Sequence, residues 1–223
     1  MVNQQTLRAL QGTNELIYFQ VNCRDYDPAD MISRIQNYAG QILKCERKNK
    51  TLGLEHYLAM AQSWTFAFAN HVDINIQTEL WKRFPGVCPY CSLLPCDCKV
   101  RRETRAQELQ PTRSQPTWAR DFQTMLHEIY PANTFSDSAK HLAEEAIELN
   151  QAFTFYRGKH EGAMFSDIGE ELIDVQSNLF AVASVNKIDL AAAFQEAFQS
   201  GCHRCHQLPC KCGFVTDKSP SIR

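Results

Sequence analysis

LAEEAIELNQAF (residues 142–153) and DIGEELIDVQSNL (residues 167–179) decide how this chain is read. Placed at 100° per residue, Leu142, Ala146, Leu149 and Phe153 fall within about 60° of one another, while Glu144, Glu145 and Glu148 take another face. The second stretch repeats the pattern, with Ile168, Leu172, Val175 and Leu179 as its stripe and Asp167, Glu170, Glu171 and Asp174 opposite. Both therefore predict amphipathic helices with an acidic face. No Lys or Arg occurs from His141 to Tyr156, or from Asp167 to Asn186. Like charges one turn apart cost about 0.2–0.5 kcal/mol per pair, so solvated faces usually mix signs. A single-sign acidic face on two successive helices calls for a cation, or for carboxyls that keep their protons. Carboxylate oxygens suit a hard cation such as Mg²⁺, or Mn²⁺.

Downstream of this pair, CHRCHQLPCKC carries Cys202, Cys205, Cys210 and Cys212. Far upstream, CPYCSLLPCDC carries Cys88, Cys91, Cys96 and Cys98 with the same spacing and the same Leu-Pro before the third cysteine, 114 residues away. HVDINIQTELWKRF and VNKIDLAAAFQEAF align at that offset, and DPADMISRI resembles DSAKHLAEE at an offset of 110. Such self-similarity predicts two copies of one helical unit: residues 1–98 and 117–213, joined by a polar, basic linker at 99–116 with two prolines and followed by a tail at 214–223. Helices are expected near 4–20, 28–46, 54–71 and 75–84, and again near 117–130, 137–156, 162–186 and 189–200. Four helices per unit suggest bundles, and strand signals are scarce. The fold class is all-α.

Four thiolates within an 11-residue loop suit a closed tetrahedral Zn²⁺ site, and structural zinc is the expectation for both clusters. An iron–sulfur cluster uses the same ligands and stays open. Cys202-His203-Arg204-Cys205-His206 contains the covalent haem pattern, but the matching loop has Ser92 where His206 stands. The two histidines are expected to lie beside the metal rather than to bind it. Neither loop has the spacing of a DNA-reading finger.

The order E-E-x-x-E then E-x-x-D, here Glu144-Glu145-x-x-Glu148 and Glu171-x-x-Asp174 with 22 residues between, resembles the MazG-type all-α nucleoside-triphosphate pyrophosphohydrolases. The context DIGEELIDV followed by NKIDL is similar to that family as well. The resemblance covers about residues 117–200, with a weaker copy over about 1–85. It implies Mg²⁺-dependent cleavage of an NTP or dNTP to a monophosphate and pyrophosphate. It also implies Glu145, Glu148, Glu171 and Asp174 as metal ligands, with Glu144 activating water. The first copy lacks the motif, holding Arg34, Ile35 and Tyr38 at the matching places. One catalytic and one degenerate unit would form a pseudo-dimer in one chain; further homodimerisation is open. Family members carry phosphate-contacting residues beyond the last helix, where this chain has a cysteine loop. Lys140, Arg157, Lys82 and Arg83, with Arg204 and Lys211, are the candidate replacements. The alternative is a non-catalytic helical zinc protein that binds a nucleotide or a partner. Trp64, Phe68, Trp118, Phe153 and Phe165 are expected in the core rather than on a base.

The net charge of −2 over 223 residues argues against a nucleic-acid binder or a membrane-surface protein. No run approaches the ~18 apolar residues of a membrane span, and no leader-like segment opens the sequence. A cytoplasmic location is expected.

Overall fold

The computed structural model describes residues 4–98 and 109–212; most of the predicted linker and the tail lie outside them. Eight helices follow in order and no strand occurs among the described residues: α1 (Leu7–Asp25), α2 (Pro28–Arg47), α3 (Leu54–His71), α4 (Ile76–Arg83), α5 (Ala119–Ile129), α6 (Phe135–Lys159), α7 (Gly162–Val185) and α8 (Leu190–Phe198). None is long and apolar enough to cross a membrane.

Local chemistry sets the ends. Asp27 caps α2 through Asp30 N–H at 2.8 Å, Asp30 returns the bond to Asp27 N–H at 3.2 Å, and Pro28 opens the helix. Thr134 caps α6 through Asp137 N–H. The last helices begin alike, with Asn75 accepting from Thr78 N–H and Asp189 from Ala192 N–H. The turns before them also match. Asp73 and Lys187 sit at φ 55° and 59°, and Ile74 and Ile188 donate back to Ala69 and Ala183 at 2.9 Å.

The apolar stripes face inward as the periodicity requires. Leu142, Ala146 and Leu149 are fully buried, and so are Ile168, Leu172, Val175 and Leu179. Packing then couples the halves of the chain. α2 lies on α6 and α3 on α7, while α8 packs on α3 and α4 on α7, so each short last helix sits against the opposite half. The buried side chains make one continuous core.

Polar contacts between and within the halves recur at matching positions. Gln62 and Gln176, 114 residues apart, exchange two amide hydrogen bonds of 2.6 and 2.8 Å in a fully buried setting. Gln11 bonds Ile74 O and Ile76 N–H within the first half, and Gln123 bonds Ile188 O and Leu190 N–H within the second. The cysteine loops cross over: Cys96 N–H donates to Ile129 O at 2.8 Å, and Cys210 N–H donates to Ile17 O at 2.7 Å. Both loops carry a cis Leu-Pro peptide, Leu94-Pro95 and Leu208-Pro209. Of the linker, Thr112 N–H bonds Pro85 O at 3.1 Å and Arg113 pairs with Glu128 at 2.6 Å.

Candidate metal centre and cleft

α6 and α7 are the most extensively packed helix pair in the molecule, and their adjacency brings carboxylates together. One oxygen each of Glu145, Glu148 and Glu171 lie within 4.8 Å of one another. Glu145 and Glu171 are half-buried and Glu148 is exposed. Burial first, then the charges of Asp174 and Glu148, push the Glu145 carboxyl up to about 8 and that of Glu171 up to about 7. These are carboxyls crowded by like charge, opposed at Glu171 by the charge of Arg83, and a divalent cation relieves such crowding.

Asp174, the fourth expected ligand, is outside this trio and engaged otherwise. Arg83, from the last turn of α4, reaches it with Nε at 3.1 Å and through a second, short bond from Nη2. Nη1 of Arg83 binds Glu170 at 2.9 Å. Arg83 is only 7% exposed. It thus crosses from the first half, as one of the candidate cations was expected to, but its partners are carboxylates. Lys82 pairs with Glu79 on its own helix at 2.7 Å. Arg157 lies over the Phe153 ring at 5.8 Å. Lys140, Arg204 and Lys211 are exposed, and none of these cations lines the cleft described below. Glu144, expected to activate water, is exposed and separate from the trio, as is Asp167.

A cleft of about 520 Å³ leads away from Glu145 and Asp174. It is lined also by the first cysteine loop, through Cys88, Pro89, Tyr90, Cys96 and Cys98, and by His127, Tyr130, His141 and Asn178. Sequence reasoning missed these lining residues. His141 could have been found, since it stands one helical turn before Glu145 on α6; Tyr90 and His127 come from segments that only the fold brings together.

Both cysteine clusters gather all four sulfurs within 4.8 Å. In the first, Cys88–Cys98 is 3.5 Å and Cys91–Cys96 is 3.9 Å; in the second, Cys202–Cys212 is 3.9 Å and Cys205–Cys210 is 4.0 Å. Tetrahedral Zn²⁺ with bonds of about 2.3 Å sets its sulfurs about 3.8 Å apart, so the donor sets fit zinc. Each cluster has one acidic thiol. Burial raises Cys88, yet the N–H groups of Cys91 and Tyr90 and the Tyr130 hydroxyl bring it down to about 7. The Lys211 N–H brings Cys205 down to about 6. His203 and His206 are not among the ligand groups: their Nδ1 atoms meet Tyr18 Oη at 3.0 Å and Ser200 Oγ at 3.1 Å. Phe68 and Phe153 are core residues in edge contact, Trp64 and Trp118 are half-buried, and Phe165 packs on Tyr156 while 36% exposed.

The fold and these centres define an all-helical protein with two four-cysteine clusters of zinc-compatible geometry and a carboxylate-lined cleft. No protein-family model, curated protein or solved structure matches the chain.

Proposed function

We propose that the chain is a Mg²⁺-dependent nucleoside-triphosphate pyrophosphohydrolase of MazG-like type, with one active unit and one degenerate unit arranged as a pseudo-dimer. The observation that carries this reading is the convergence of Glu145, Glu148 and Glu171 from two adjacent helices, with Glu145 also lining a cleft. Their number and type suit a cation that keeps waters and takes the remaining ligands from phosphate oxygens. Bound there, Mg²⁺ or Mn²⁺ would neutralise phosphate charge and acidify the attacking water. The residues would do the rest. Glu148 and Glu171 hold the cation, and Glu145, half-buried and able to carry a proton near neutral pH, serves as ligand or as acceptor of the water's proton. Arg83, from the opposite half, would hold Asp174 and Glu170 in place beside the trio. The cleft volume falls within the range of about 300–1,000 Å³ usual for ligand sites. Two structural zinc ions would close the cysteine loops.

Ion-exchange analysis of products tests it. Zinc-replete protein is given each common NTP and dNTP with Mg²⁺, beside Glu148→Gln. Monophosphate plus pyrophosphate, reduced roughly a hundredfold or more in the variant, is expected. A second reading, a non-catalytic nucleotide- or partner-binding protein, is favoured by one observation: Arg83 already neutralises Asp174 and Glu170. Absence of turnover across the panel, with nucleotide binding retained, would select it.

A further inference from the structure

We propose that the first four-cysteine loop is the base-recognising wall of the cleft: the nucleobase of a nucleoside triphosphate packs against Pro89 and Tyr90, which the N-terminal half presents to the carboxylates of the C-terminal half. This rests on the nucleotide-hydrolase reading and adds to it a recognition role for a metal loop.

The lining of the cleft is of two chemical kinds: Glu145 and Asp174 offer carboxylates, suited to a metal–triphosphate group, while Pro89 and Tyr90 of the loop offer apolar and aromatic surface, suited to the uncharged part of a ligand. Arg83, from the same half as the loop, is bonded to Asp174, one of those carboxylates. Tyr90 offers a π face, and His127, Asn133, His141 and Asn178 bring donors and acceptors for a base edge. The wall is held firmly. Cys96 N–H is bonded to Ile129 O, Cys88 N–H to Leu93 O at 3.1 Å, Ser92 N–H to Cys88 O at 2.9 Å, and the Tyr130 hydroxyl to Cys88 Sγ at 3.6 Å. A preorganised aromatic loses little freedom on binding.

The second loop shows that such a loop need not have this role. His203 and Arg204 stand where the first has Pro89 and Tyr90. The space beside it is only about 50 Å³, lined among others by Tyr26, Met60 and Trp64. Both loops make the same anchoring bonds, so anchoring alone does not account for the open cleft beside one of them.

Titration calorimetry of the zinc-loaded full chain with Mg²⁺ decides the matter. The probes are α,β-imido analogues of the common NTPs and dNTPs, and inorganic triphosphate, which has no base. At least one nucleotide is expected to bind more tightly than triphosphate. Tyr90→Ala should weaken that nucleotide about tenfold or more and leave triphosphate unchanged. Arg204→Ala should change neither. Tyr90→Leu keeps apolar bulk without the π face and serves if the alanine variant fails to fold. Undiminished nucleotide binding by the Tyr90 variants, or equal loss for triphosphate, overturns the proposal. Triphosphate binding that no nucleotide exceeds overturns it too, while leaving the hydrolase reading intact. No binding of any probe overturns both.

Discussion

Two places in this molecule occupy matching positions and differ in nearly every charge. In the C-terminal half, α6 and α7 carry Glu145, Glu148, Glu171 and Asp174, and α4 sends Arg83 from the other half to Asp174 and the neighbouring Glu170. Offsets of 110 on α2 and 114 on α3 give their counterparts as Ile35, Tyr38, Tyr57 and Met60, and Arg83 corresponds to Ala197 on α8. Ile35 is fully buried, and Tyr38 and Tyr57 meet with ring centroids 6.4 Å apart. Trp64 stands where Asn178 lines the open cleft, and Arg34 caps Trp64 and Tyr26 at 5.9 and 5.7 Å. The carboxylates and the cation that answers them are absent together on one side and present together on the other. That pairing teaches that Arg83 belongs to the acidic site, whereas helix packing, turn geometry and loop anchoring, common to both halves, belong to the scaffold.

Breaking the cation tests this most strongly. Arg83 is 7% exposed and Asp174 16%, so Arg83→Ala leaves a carboxylate without its partner beside three others. Removing one member of a buried pair costs about 3–5 kcal/mol. Metal-free variant protein should melt roughly 10 °C lower than the parent, at about 2–4 °C per kcal/mol for a chain of this size. Mg²⁺ should raise the melting temperature of the variant more than that of the parent, because the metal takes over the lost charge. Equal melting temperatures without metal would separate Arg83 from the acidic site.

How far the sequence itself carried the fold follows from the same contrast. Apolar stripes such as Leu142–Phe153 and caps such as Asp27-Pro28 are local, and the observed helices lie close to the expected spans. α6 is longer than expected at both ends, Phe135–Lys159 against 137–156, with Thr134 as its N-cap and His160 as its C-cap. The two acidic helix faces were legible, but not which of their residues converge. Glu144 and Glu145 are only 100° apart on a helix, and periodicity could not decide which one turns toward α7; the packing chose Glu145 and left Glu144 exposed. The resemblance implies Asp174 as a metal ligand, and nothing local in the sequence shows that an arginine 91 residues earlier reaches it. The cleft was illegible, since its walls come from the first cysteine loop, α5, α6 and α7 and depend on the crossing of that loop onto Ile129.

The carboxyls sharpen the comparison through pH. Glu145 and Glu171 rise from ordinary values of 4.5 to about 8 and about 7. Each is faced by Asp174 and Glu148 and by the other, with Arg83 opposing the rise at Glu171. A raised carboxyl binds more protons folded than unfolded between these limits, so it contributes stability fully below about pH 4.5 that is lost as pH climbs through 7 and 8. Zinc-loaded, Mg²⁺-free protein should therefore show a downward contribution to stability from about pH 5 to pH 8, and Glu145→Gln should flatten that slope in thermal melts. Mg²⁺ should bind more tightly at pH 8 than at pH 6, because it competes with those protons. An unchanged slope in Glu145→Gln would mean that the carboxyl is not held protonated. No such change is expected from Tyr38→Phe on the matching side.

The smallest expected effect lies where the halves are most alike. Gln62 and Gln176 are the same residue at matching positions, fully buried or nearly so, and each donates its amide to the other. A symmetric amide pair satisfies itself only when both members are present. Gln62→Leu strands the Gln176 amide, and an unsatisfied buried polar group costs about 1–3 kcal/mol; Gln176→Leu should cost a similar amount. Replacing both removes two mutually satisfied amides and places leucines of similar bulk in the core between α3 and α7, a change that can be nearly neutral. Chemical denaturation of the two single variants and the double variant therefore should give strong non-additivity, with the double more stable than either single. Additive losses would mean that each glutamine is held by its own half and that the pair is not a shared element of the two.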